Sequence, residues 1–222
     1  GSSIIHSSPG LPFNYVAASG AAEIAVGDTV TGMLSQPGAQ TTGALAIFTR
    51  STTKVLYGTG TSDWNLVSFN TGTGAIPWSP QNMNQSFVFD DNGVFGLTVA
   101  QEYGNFAPSS LSAAIRPLII TLRPLLTASA VCREKSQYRL YFSNGMGLHI
   151  TMLNNKLLGS MPIYLPISSG VNNAWSGKLS TGEEVILLCG GDGHLYRAEK
   201  GTSFDGADIP ATLSLHHNSM RN

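Results

Sequence analysis

Chemistry in this chain would have to come from its five histidines, two cysteines, seven arginines and 13 carboxylates. A nucleophilic triad needs a Ser or Cys presented on a strained turn with His and carboxylate partners, and no G-x-S-x-G occurs. His149 follows Leu148 in a predicted strand, and His194 comes just after a predicted turn. Both positions suit a packed or solvated ring better than a general base. His216 and His217 are adjacent, so on a strand they face opposite sides and do not share one metal. Cys132 and Cys189 both sit in apolar runs, ASAVC and VILLC, and are read as small buried hydrophobes.

Phosphate and metal loops fare no better. Gly170-VNNAWS-Gly177-Lys178-Leu179 has six residues between its glycines where a P-loop has four, and it lacks the Ser or Thr after Lys. Gly72-Thr73-Gly74-Ala75-Ile76-Pro77 lacks the third glycine of a dinucleotide fingerprint. Asp90-Asp91-Asn92-Gly93 has calcium-loop residues without the spaced downstream Glu, and turn formation accounts for it more simply. The enzymatic rival is a sialidase-like propeller, because Asp91 to Phe95 resembles an Asp-box turn. Phe89 stands where that motif has Ser or Thr. Such an enzyme also needs converging arginines and a Tyr–Glu pair, and Arg50, Arg116, Arg123, Arg133, Arg139, Arg197 and Arg221 are scattered along the chain. No catalytic, cofactor-binding or metal-ligating residue is therefore assigned, and no cofactor.

The elements that would position any site are strands. Asn92-Gly93, Asn144-Gly145 and Asp192-Gly193 each stand between apolar, β-prone flanks, in SFVFDD-NG-VFGLTV, YRLYFS-NG-MGLHITM and VILLCGG-DG-HLYRAE. These dipeptides tolerate positive φ at both centres of a type I′ hairpin turn. ALAIFT-Arg50-Ser51-Thr52-Thr53-KVLYGT repeats the shape with a longer loop. The spacings from Thr52 to Asn92, Asn144 and Asp192 are 40, 52 and 48 residues in turn. A period of about 40 to 50 residues belongs to propeller blades. VILLC and LAIF are short continuous apolar runs, as expected for strands covered on both faces. The expected fold is all-β, a propeller-like array of about four hairpin or blade units, closed or partial. IRPLIITLRPLL reads as an apolar crossover strand.

Three segments follow from this. Residues 1–43, poor in aromatics and rich in small residues, read as an extended arm with short strands such as NYVAA and AEIAV. Residues 44–215 form the propeller-like domain, and 216–222 are a tail where a longer chain could have been cut. Composition bounds the partners. Charged residues make up 11%, and 12 Lys and Arg against 13 Asp and Glu leave a net charge of −1, with no basic footprint for nucleic acid or an anionic membrane. No apolar stretch approaches the roughly 18 to 20 residues that span a bilayer. With few ions to desolvate, such a surface suits extensive packing between subunits.

Several stretches carry a resemblance: KVLYGTGTSDWNLVSF, GTGAIPWSPQNMNQSFVFDDNGVFGL, TASAVCREKSQYRLYFSNGMGLHITMLNNKLLGSMPI and GTSFDGADIPATLSL. In that order they resemble propeller-type virion structural proteins of tailed bacteriophages, over residues 44 to 215. The resemblance implies a structural subunit of the tail (nozzle or hub) or of the head-to-tail machinery. It implies a location in the virion after assembly in the host cytoplasm, other virion proteins and further copies of the chain as partners, and no catalytic residues. The alternative is a carbohydrate-binding or sialidase-like propeller for host attachment, with Trp64, Trp78, Trp175 and Tyr103 as sugar platforms instead of packing in inter-blade loops.

Overall fold

Each of the four turns picked out above closes a hairpin, and each hairpin is the second and third strand of an antiparallel sheet. The computed structural model describes residues 1–35, 44–58, 60–83, 86–99, 106–110, 115–154, 156–167 and 169–210. The first sheet holds β3 (Val30–Ser35), β4 (Ala44–Thr49), β5 (Thr53–Tyr57) and β6 (Asn65–Asn70), after a two-stranded hairpin of β1 (Ser3–His6) and β2 (Ala22–Ala25). The second holds β7 (Gln81–Asn82), β8 (Ser86–Phe89), β9 (Val94–Val99) and β10 (Phe106–Ser110). The third holds β11 (Leu126–Cys132), β12 (Gln137–Phe142), β13 (Met146–Leu153) and β14 (Lys156–Tyr164). The fourth has only β15 (Val171–Lys178), β16 (Glu184–Gly190) and β17 (Leu195–Arg197). Strand order follows sequence in every sheet, so the chain is an all-β, propeller-like run of four meander blades.

The blades stack face to face through the alternation of strand side chains. Ala46 and Phe48 of the first blade meet Val88 of the second. Phe87 and Phe89 of the second meet Tyr138, Leu140 and Phe142 of the third. Tyr141, on the other face of β12, meets Ile186 and Leu188 of the fourth. Phe87 and Tyr138 stack at 5.1 Å, and the Tyr138 hydroxyl donates to the Ser79 carbonyl at 2.7 Å. Interior blades are thus buried on both faces, which is why their strands are continuous apolar runs. The first strands stand side by side in order. Gln81 Nε2 donates to Ser129 at 3.1 Å, and the Thr127 hydroxyl to the Val171 carbonyl.

Four expectations are corrected. The division at residue 43 does not match the sheets, because β3 pairs with β4 in the first blade, Met33 opposite Ile47. Residues ahead of β3 hold short strands but no free arm: AEIAV supplies β2 as expected, NYVAA is not a strand, and Ile4, Ile24 and Val26 pack on Ile47 and Leu56, so the β1–β2 hairpin caps the first blade. Residues Arg116–Leu122 form a helix, α1, where a crossover strand was predicted. Pro117 in the first turn is pre-set for helix, and Ile119 and Leu122, three residues apart, drop into the core between the second and third blades. The turns differ too, since positive φ occurs only at the glycines: 141° at Gly93, 80° at Gly145 and 85° at Gly193. Gly193 N–H donates to the Gly190 carbonyl at 3.1 Å, and Gly190 N–H to that of His194 at 2.9 Å. This is a type I turn followed by one left-handed glycine, the next commonest hairpin after type I′, and Asn or Asp serves it from the right-handed region.

These glycines are not equivalent. A side chain at Gly193 would meet nothing within 4 Å, whereas a Cβ at Gly145 would stand 2.9 Å from the Leu165 carbonyl oxygen. Gly193→Val is expected to cost about 1 to 2 kcal/mol for its left-handed backbone. Gly145→Val, strained and crowded, should cost more. Thermal melts of both variants check the order, and equal losses would refute the contact at Gly145.

Candidate functional site

The residues selected from the sequence are spread over the molecule and spend their polar groups on structure. Asp90 accepts from the N–H groups of Asn92 at 2.7 Å and Gly93 at 3.0 Å, closing its own turn. Burial raises its carboxyl pKa despite those bonds. Asp91 binds Arg50 through two hydrogen bonds, at 2.6 and 3.1 Å, and Arg123 lies 3.3 Å away. The turns of the first two blades and the connector leading to the third are so linked. Asn144 accepts from Met146 N–H at 3.1 Å, and Asp192 from His194 N–H at 3.0 Å and the Tyr196 hydroxyl at 2.6 Å. The other described arginines with ion pairs face separate carboxylates: Arg133 faces Glu184, Arg139 Glu199 and Arg197 Glu183. His216, His217, Arg221 and Tyr103 lie outside the described residues. Among the described residues, no three His, Cys, Asp or Glu side chains are grouped to hold a metal.

A buried polar cluster lies on the seam between the third and fourth blades. Arg139, 1% exposed, projects from β12 beside Tyr141 and opposite His149 of β13. Its Nη2 donates to Glu199 Oε1 at 2.8 Å and to Gln137 Oε1 at 2.6 Å, and Lys135 Nζ reaches Glu199 at 2.9 Å. Burial, then the Arg139 charge, push His149 down to about 4. Burial pushes Tyr141 up to about 12 against the opposing pull of Arg139. Both rings are neutral near pH 7, and His149 Nε2 is buried without a hydrogen-bond partner. Nearby, Glu184 at the start of β16 accepts from the N–H groups of Arg133 and Glu134, both at 2.8 Å. Burial raises its carboxyl pKa, but those two donors more than offset this and hold it below its usual range. Both arrangements tie the last blade to the third.

The feature with no such internal use is the outward face of the last blade. Ala174, Ile186, Leu188 and Tyr196 turn toward the third blade. Strand alternation then sends Trp175, Leu187 and Arg197, mutually opposite in register, to the other side, with Cys189 opposite Leu195 in the next row. Trp175 is 53% and Leu195 63% exposed. Cys189 is exposed, against expectation, because cover on the outward side of VILLC falls from buried Val185 through half-buried Leu187 to Cys189; Cys132 is buried as expected. Among the described residues nothing pairs with the outer edge of β17. Sequence reasoning placed Trp175 in a loop. Its alternation was masked by the irregularity between Val171 and Asn173, though its pairing of large apolar positions with VILLC was available as a signal. Of the other tryptophans, Trp64 packs with Leu66 under the cap, edge-on to His6, and Trp78 is exposed on the connector between the first two blades.

No family model and no curated protein matches the sequence. Among solved structures, the chain is similar to BBS1N in two crystal structures of its complex with ARL6DN, one soaked with lead and one with mercury. The TM-scores are 0.48 and 0.46, at 15% and 16% identity, covering 78% and 81% of this chain. They cover 51% and 54% of the other chains, so this chain spans about half the length of those it matches.

Proposed function

We propose that this protein is a structural subunit of a tailed-phage virion, part of the tail or of the head-to-tail machinery, and that it works by assembly and not by catalysis. The resemblance of residues 44 to 215 supplies the setting. The observation that carries assembly is the outward face of the fourth blade, a sheet surface on which Trp175, Cys189 and Leu195 are exposed and Leu187 is half-buried. Exposed contiguous apolar surface on a folded chain marks interaction sites. An open sheet edge beside it invites a further strand. The low charge of the chain, 11%, keeps the desolvation cost of such packing small.

The test is the composition and labelling of purified particles. Mass spectrometry should find the protein in the mature particle at a fixed copy number, and antibody-gold labelling should place it on the tail or the neck. Absence from particles, combined with glycan binding that Trp78→Ala abolishes, would replace this function with sugar recognition. Trp78, 69% exposed, is the observation that favours that second reading.

A further inference from the structure

The two ends of the blade stack differ. At the first, β1 and β2 lie on the sheet with Ile4 and Ile24 turned inward, while Ile5 and Glu23, opposite each other in register, face out. Ile5 is 66% exposed. The loop joining β1 to β2 presents Leu11, Phe13, Tyr15 and Val16 to solvent, with Phe13 94% exposed. It is not a slack loop. Ser8 N–H donates to the Asn14 carbonyl at 2.7 Å, Leu11 N–H to Ser8 and Asn14 N–H to Leu11 at 3.0 Å, and Val16 N–H to Asn14 Oδ1 at 2.9 Å. A knob already held in shape loses little conformational entropy on docking. At the other end stands the outward face of the fourth blade, with Trp175 and Leu195 exposed on it. No buried cluster among the described residues joins that blade to the first.

Charge matches the two surfaces to each other. Glu23, on the outward face of the cap, has no ion-pair partner among the described residues. On the open face, Arg197 and Lys200 share one carboxylate, that of Glu183, at 2.9 and 2.5 Å. One positive charge is left over there. An apolar surface with a spare anion and an apolar surface with a spare cation therefore occupy opposite ends of the same chain.

We propose that the occupant of the fourth-blade face is the N-terminal cap of a second copy, seated with Phe13 and Ile5 against Trp175 and Leu187 and with Glu23 meeting Arg197. Such a contact is heterologous: each chain offers one cap and one face, and repetition gives a ring if the rotation closes or a filament if it does not. The cap then serves as a layer between the last blade of one copy and the first blade of the next. This names the self-contact within the assembly function proposed above and rests on it.

The experiment is light scattering on the full chain across a concentration series, with Phe13→Asp, Trp175→Asp and their equimolar mixture. Both residues are largely exposed, so both variants should fold, which melting curves check. The parent should form oligomers, and each variant alone should weaken association about thirtyfold or more, as loss of an interface anchor does. The mixture should recover a one-to-one dimer and stop there, since Phe13→Asp keeps an intact blade face and Trp175→Asp an intact cap. Maleimide should modify Cys189 quickly in either variant and slowly in the parent oligomer, with buried Cys132 slow throughout. A parent that stays monomeric, variants that still assemble, or a mixture without rescue would each overturn the self-contact. If the protein is nonetheless found in particles, the assembly function stands and another virion protein covers the face.

Discussion

Gly170→Ala is expected to lower the melting temperature by about 10 °C or more. Gly170 sits in the connector between the third and fourth blades at φ +71°, and a Cβ there would stand 2.6 Å from the Ser143 carbonyl carbon and 3.0 Å from its Cα. Backbone cannot swing aside as a side chain can. The connector also donates Leu165 N–H to the Gly145 carbonyl at 2.8 Å and accepts Gly191 N–H at Gly170 at 3.0 Å. Moving it would pull on the turns of two blades at once. Gly74 does the same work between the first two blades: its Cβ would lie 2.5 Å from the Arg50 carbonyl carbon, and its neighbours Ala75 and Ile76 donate to Thr49 at 2.9 Å and Phe89 at 2.6 Å.

Two controls separate the causes. Gly182→Ala has a similar left-handed backbone, φ +85°, with nothing within 4 Å, and should cost only about 1 kcal/mol, or about 2 to 4 °C. Gly74→Ala has the close approach without the left-handed φ and should fall near Gly170→Ala. Calorimetric or fluorescence melts of the three decide it. If Gly170→Ala and Gly182→Ala melt alike, the connector is not pressed against the turn.

Acid should weaken the fold well before the carboxylates titrate. His149 has its pKa lowered from 6.5 to about 4, so between those values the unfolded chain binds a proton that the folded chain refuses. Stability then rises with pH across that window: it is complete above about 6.5 and is lost progressively as pH falls toward 4. The full loss is on the order of 3 kcal/mol, because the ring must ionise beside Arg139 in a buried seam. Glu184 and Glu199 have lowered pKa values, so their stabilisation is present above the ordinary carboxylate range and lost below it. That leaves roughly pH 4.5 to 6.5 to His149, opposed among the described residues only by Asp90, whose raised carboxyl pKa favours the fold as pH falls. His149→Met should remove the slope there and match or exceed the parent at pH 7, since it also removes a buried nitrogen without a partner. Urea unfolding at several pH values measures both, and an unchanged slope in the variant would assign the acid sensitivity elsewhere.

What was legible in the sequence was what local chemistry dictates. Asn92-Gly93, Asn144-Gly145 and Asp192-Gly193 mark hairpins through dipeptides that few other structures require, and their spacing carried the blade period. The turn subtype was not legible, because Asn and Asp serve both mirror-image and ordinary turns and only the φ of the Asn or Asp itself tells them apart. The helix at Arg116–Leu122 was obscured by two prolines that open helical turns as readily as they interrupt strands. Gly74 and Gly170 lay inside motifs weighed as nucleotide loops. Their use is a backbone-to-backbone approach between segments distant in the chain, which no local pattern records. The same holds for His149, whose burial depends on the fourth blade closing over β12 and β13.

The meander order of the sheets bears on how the chain acquires its fold. Every described strand pairing joins neighbours in sequence, so each loop closure is short and its entropic cost small. Long-range contacts enter only when one finished sheet lies down on the next. Stability then resembles a one-dimensional chain of units coupled to their neighbours, in which an interior blade draws on two interfaces and a terminal one on fewer. The capping hairpin supplies the first blade with its missing neighbour. Among the described residues the last blade packs only on the third, so within this stretch it draws on fewer stabilising contacts than the blades inside the stack.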